Sequence, residues 1–171
     1  MLLQHYAFLY LAAAILATSV LVITRRNPVH SVLFMLLMFF HVAALYLFLN
    51  AEFFAAVQLI VYAGAILVLF LFVILLLDLK REVLERRYVM SWPSGVVLAA
   101  IILAIFLVGL RSFRTGAMGD YGIEYIQRVT HTKALGQVLY TEFLFPFEVA
   151  SLILLVAMVG AIVLAKKRLK S

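Results

Sequence analysis

AEFFAAVQLIVYAGAILVLFLFVILLLD, residues 51–78, decides the fold. From Phe53 to Leu77 only Gln58 interrupts an otherwise apolar or glycyl run. At about 1.5 Å rise per residue, a helix of this length reaches about 40 Å, more than a hydrocarbon core of about 30 Å requires. The segment therefore spans a membrane with tilt or extends beyond it. Near its middle lie Tyr62, Ala63 and Gly64, a hydroxyl followed by two small residues. Glu52 stands near one end and Asp78 at the other. A plain anchor needs none of these insertions.

The rest of the chain is of the same kind. It has 171 residues, 67% of them hydrophobic, and its mean hydropathy is +1.17. A water-soluble domain of this size needs a polar surface that such a composition cannot supply. Apolar windows recur at about 2–24, 29–49, 51–78, 94–110 and 143–165. Their length fits helices rather than barrel strands, which alternate over about ten positions. The expectation is an all-α integral membrane protein with five transmembrane helices in a single membrane domain over residues 1–171. Cysteine is absent, which excludes disulfides, thiolate metal sites and cysteine-ligated iron–sulfur clusters. The net charge of +6 flanks membrane spans, where Lys and Arg set orientation, so nucleic acid is not an expected partner.

With alternating spans, Arg25, Arg26, Lys80, Arg81, Arg86, Arg87, Lys166, Lys167, Arg168 and Lys170 fall on one side. Arg111, Arg114, Arg128 and Lys133 fall on the other. Ten against four predicts a cytoplasmic C-terminus and an outside N-terminus.

Taken in order, residues 2–24 read as a retained first span, because the apolar run exceeds an ordinary signal-peptide core. Arg25-Arg26-Asn27-Pro28 closes it, and proline suits the first turn of the next helix. His41 lies well inside the second span, where two readings stand open. A neutral imidazole there is either a proton-relay group or hydrogen-bonded to a neighbouring helix or subunit. Asn50-Ala51-Glu52 makes a short turn, so spans two and three are antiparallel neighbours. Glu52 near a helix N-terminus is favoured by the dipole, and is equally placed to stand at the mouth of a proton path.

Within the third span, α-helical spacing puts Gln58 and Tyr62 on one face. It also gives a small-residue strip of Ala56, Ala63 and Gly64, suited to close packing in lipid. Gly64 lowers the cost of a mid-helix irregularity such as a π-bulge. The connector at 78–93 reads as solvated and charged, with Tyr88 and Trp92 as interfacial anchors. Ser91 and Pro93 fit the start of span four. In the 111–142 segment, Gly116, Gly119 and Gly122 make the first half loose, whereas ALGQVLYTEF predicts a short helix. Pro146 belongs in the first turn of the last span, which puts Glu148 near its third position. Glu148 is either a dipole-favoured terminal carboxylate or a functional one. No Walker loop, dinucleotide-binding glycine motif, HExxH or Ser–His–Asp candidate is visible, and no spacing supports a metal site or paired haem ligands. No catalytic, cofactor-binding or metal-binding residue is assigned.

The central EFFAAVQLIVYAGAILVLFLFV, with NPVHSVLF at 27–34 and LGQVLYTEFLFPFEVASLILLVAMVGAIVLAKK at 135–167, resembles a known family. The family it resembles is subunit J of the bacterial proton-pumping NADH:quinone oxidoreductase, respiratory complex I, whose mitochondrial counterpart is chain 6. The likeness covers residues 1–111 and 134–168 and leaves 112–133 unmatched. It implies a membrane-arm subunit in the bacterial inner membrane, close to the quinone-reducing module. FMN, iron–sulfur clusters, NADH and quinone are expected on other subunits, and the partners are quinone-module and antiporter-like membrane subunits. It also implies a π-bulge and a conformational switch at the positions matching Tyr62, Ala63 and Gly64. Winding or unwinding there would rotate the following half-helix by about 100° and so open or close a water path. Glu52 is the carboxylate placed most readily near a proton path; His41 and Glu148 are further candidates. A subunit of an Mrp-type cation/proton antiporter, or of a related quinone- or ferredoxin-linked complex, is the alternative function. A purely structural helix bundle is a third reading.

Overall fold

A computed structural model describes residues 2–77, 92–112 and 122–166. The described residues are helical and hold five helices long and apolar enough to cross a membrane. Polar backbone in lipid must be satisfied within its own segment, which a helix does. The protein is a multi-pass membrane protein. Asp78, the charged connector through Ser91 with Tyr88, the glycines at 116 and 119, and residues 167–171 lie outside the described residues.

The helices fall into two units, each described by itself. The first holds α1 (Leu2–Thr24), α2 (Pro28–Phe48), α3 (Glu52–Leu76) and α4 (Trp92–Ser112). The two ends of α2 and the start of α4 have local causes. The Asn27 side chain accepts a hydrogen bond from the Val29 amide at 2.9 Å, and Pro28 takes the first turn, where its missing N–H costs nothing. At the far end of α2, Asn50 turns left-handed (φ 57°), its amide donates to Leu47 and the Ala51 amide to Tyr46. These two bonds satisfy orphan carbonyls of the last turn, and Asn tolerates that conformation better than most residues. The chain thereby reverses within three residues and lays α3 back along α2. Pro93 stands in the first turn of α4.

α2 is the middle helix of three, packed on α1 along one side and on α3 along the other. Ser19 donates to the Met38 sulfur at 3.1 Å, and Ser31 donates to the Val22 carbonyl. In lipid, close fit and such cross-helix bonds hold helices together, because burial gains nothing over hydrocarbon tails. Thr18, Val32 and Ala43 are buried there. Arg25 lies over the Phe34 ring at 4.9 Å, which keeps its charged head at the end of the helix pair. α4 packs on none of α1–α3 among the described residues. Its large apolar side chains are exposed, a surface for lipid or for other chains.

The second unit holds α5 (Ile123–Val129), α6 (His131–Thr141) and α7 (Leu144–Ala165). α6 is the short helix that the sequence predicts. α5 departs from the loose segment that the nearby glycines predict: Tyr125 Oη donates to Gln137 Oε1 at 2.7 Å and ties α5 to α6. Between them Thr130 has φ 75° and ψ 146°, a conformation that a β-branched residue rarely adopts. Tyr140 meets Phe147 edge-on with centroids 5.2 Å apart, joining α6 to α7.

Candidate functional site

The third span is not one α-helix. It is α-helical over Glu52–Val57, π-helical over Gln58–Ile66 and α-helical again over Leu67–Leu76. The Leu67 amide reaches back five residues to the Tyr62 carbonyl. Nine residues make this longer than the usual single-turn bulge. Tyr62, Ala63 and Gly64 lie inside it.

The π stretch sets which residues face α2. Ala55, Gln58, Ala63 and Leu67 are the buried residues of α3. From Ala55 to Leu67 is twelve residues. At about 100° each, a plain α-helix would leave them about 120° out of phase. One residue absorbed by the wider turns takes back about 100° and leaves about 20°. The buried face is continuous only because the helix is wide in the middle.

Two expectations are corrected by this register. Gln58 and Tyr62 are not buried alike: Gln58 is 7% exposed against α2, whereas Tyr62 is 46% exposed and reaches α2 only at Phe39. Nor is the packing strip Ala56, Ala63 and Gly64. Ala56 and Gly64 are exposed, and Ala55 joins Ala63 instead. Both expectations assumed four residues to the turn where the chain uses five. Gln58 was the visible signal, because it is the one amide in the apolar run and an amide prefers not to face lipid.

Tyr62 meets Phe39 of α2 edge-on, with centroids 6.0 Å apart. A Cβ built on Gly64 would stand 3.3 Å from the Leu59 carbonyl oxygen, one wide turn earlier. Any side chain at 64 therefore presses on the backbone of the π stretch.

The other candidates are spread out. His41 Nδ1 is 2.8 Å from the Leu37 carbonyl of its own helix, and its ring lies 6.0 Å from that of Tyr10 on α1. Phe39 and His41 are two residues apart, about 200° around α2. Tyr62 and His41 thus lie on opposite sides of that helix. Glu52 is exposed in the first turn of α3, about 15 Å along the axis from Tyr62. Glu148 is exposed and is the fifth residue of α7, which begins at Leu144. It stands beyond the dipole-favoured first turn where the sequence placed it, because the helix starts two residues before Pro146. Within the first unit, Tyr62, His41 and Glu52 do not form one cluster. Among the described residues, no three His, Cys, Asp or Glu come together to hold a metal ion.

Fold and site together define a multi-pass helical membrane protein whose third span is broken by a long π stretch. The family of NADH-ubiquinone/plastoquinone oxidoreductase chain 6 matches residues 18–164. NADH-quinone oxidoreductase subunit J of Rhodobacter capsulatus is 39% identical over 161 residues, covering 93% of this chain and 80% of the relative. NADH-ubiquinone oxidoreductase chain 6 of Chondrus crispus is 40% identical over 155 residues, covering 87% of this chain and 76% of the relative. Subunit J of Rickettsia bellii (strain RML369-C) is 35% identical over 166 residues, covering 94% and 80%. The chain belongs to the chain 6 and subunit J family.

Proposed function

We propose that this chain is a non-redox membrane-arm subunit of a respiratory NADH:quinone oxidoreductase, and that α3 helps couple electron transfer to proton translocation by changing its helical register. Family membership supports the first half, and the π stretch over Gln58–Ile66 carries the second. Packed interfaces have discrete arrangements rather than a continuum. A helix that holds one residue too many for its length therefore has a natural second arrangement, plain α-helix, reached by rotating one half by about 100°. Such a rotation moves Tyr62 and the residues beyond it relative to whatever packs on the exposed side of α3.

In this reading the electron carriers, FMN and iron–sulfur clusters, and the NADH and quinone sites belong to other subunits, with quinone-module and antiporter-like membrane subunits as neighbours. The N-terminus lies outside and the C-terminus in the cytoplasm of a bacterial inner membrane, as the Lys and Arg distribution favours. The whole chain then acts as one membrane domain. Glu52 stands nearest a proton path, with His41 and Glu148 as secondary candidates.

Gly64→Val in the intact complex tests the switch. The added branched side chain crowds the Leu59 carbonyl and disfavours the π state. Quinone reduction and proton pumping are expected to fall together. Assembled complex with unchanged rate and unchanged coupling would refute the proposal.

A further inference from the structure

We infer that Gln58 and Tyr62 form a polar latch, bonded to each other only when α3 is fully α-helical. This rests on the proposed change of register. In the observed state the Gln58 side chain is 7% exposed and makes no hydrogen bond to any described residue. The Tyr62 hydroxyl is likewise unbonded among the described residues, and its ring rests on Phe39. Two hydrogen-bonding groups in an apolar segment, four residues apart, are thus not bonded to each other in the observed state.

The same residues four apart on an α-helix share a face and come within reach of each other. If Gln58 keeps its place against α2, closing the π stretch swings Tyr62 from its edge contact with Phe39 fully onto that face and Ala63 away from it. Each register then has one advantage. The π state packs small Ala63 closely against α2 and leaves the amide unpaired. The α state puts the bulkier ring, which in the π state touches only the edge of α2 at Phe39, in the place of Ala63 and pairs the amide with the phenol. Opposed terms of this kind keep two states close in free energy, which a switch requires. Gln58 and Tyr62 are positioning residues in this scheme, acting through the helix and touching no substrate.

The test is cryo-electron microscopy of the intact complex, at rest and during turnover, with α3 particles sorted by register. The wild type, Gln58→Met, Tyr62→Phe and the double variant are compared. A latch predicts that either single change lowers the α-to-π ratio by about threefold to thirtyfold, the range for a hydrogen bond between membrane-buried groups. The double variant should match the single ones, because one bond is lost only once. Changes that multiply, or an unchanged ratio, would overturn the latch and leave the register change standing. Absence of any α class in turning-over wild type would overturn both. The wild-type α class also decides without variants, should these fail to assemble: its map must place the Tyr62 hydroxyl within bonding distance of the Gln58 amide, and a separated pair overturns the latch.

Discussion

Ala63→Leu should move the register of α3 in a direction opposite to what hydrophobicity alone suggests. Ala63 is 5% exposed, and it faces α2 only because the π stretch turns it there. Leucine adds three carbon atoms at a position with no room for them. Overfilling a packed interior costs about 1–3 kcal/mol. In a plain α-helix the same side chain points about 100° away from α2, so the cost falls on the π state alone. The ratio of α to π should therefore rise by about 5- to 160-fold, with RT about 0.59 kcal/mol. Leu67→Ala acts by the reverse size change. Leu67 is buried in the same register, and its truncation leaves a cavity costing about 2–5 kcal/mol in that state only. A larger residue at 63 and a smaller one at 67 should thus both favour the α form. The assay is the register of α3 in maps of the assembled complex, together with NADH:quinone activity and proton uptake by reconstituted vesicles. A π stretch that persists over Gln58–Ile66 in both variants would refute the reasoning, because close packing on Ala63 and Leu67 would then not be what sets the register.

Two predictions concern the turns. Asn50→Val should destabilise by about 1–2 kcal/mol, since a β-branched residue resists the left-handed conformation, whereas Asn50→Gly should be nearly neutral; thermal inactivation of the complex compares them, and equal losses would discount the backbone cause. Thr130→Gly should raise that inactivation temperature, because glycine adopts φ 75° without the strain of about 1–3 kcal/mol that threonine carries there; a lowered temperature would mean that the threonine side chain holds the bend.

The spans were legible because continuous apolar runs need no phase. Hydropathy located five helices to within two residues at most ends, and the prolines at 28, 93 and 146 mark first turns by their missing N–H. Faces are a different matter. In α3 nearly every direction is apolar, so hydrophobic periodicity carries no bearing, and the only compass is the spacing of small and polar residues. That spacing was read with the wrong turn. Gln58 with Tyr62 is an α-helical pair and Gln58 with Ala63 is a π-helical one, and the letters alone allow both. α5 was hidden for a related reason: seven residues after a glycine-rich stretch carry little signal, and the Tyr125–Gln137 bond that holds them reaches across twelve positions.

The ambiguity in the letters is also the physical content of the segment. A soluble helix has its register fixed by a polar face that must stay in water, and a 100° rotation would bury charges. α3 has no such constraint, because between Phe53 and Leu77 its whole circumference is tolerable to lipid or to another apolar helix. On the proposed change of register, rotation costs the difference between two packings, with Ala63 and Leu67 against α2 in one and Tyr62 and Ile66 in the other. Gln58 is the exception. One amide in the run gives the proposed rotation a polar consequence, since it and the Tyr62 phenol pass together between unpaired and paired. A segment apolar throughout would rotate without preference. A segment with several charges would not rotate at all. In the proposed switch, one amide and one phenol, four residues apart, place α3 between those limits.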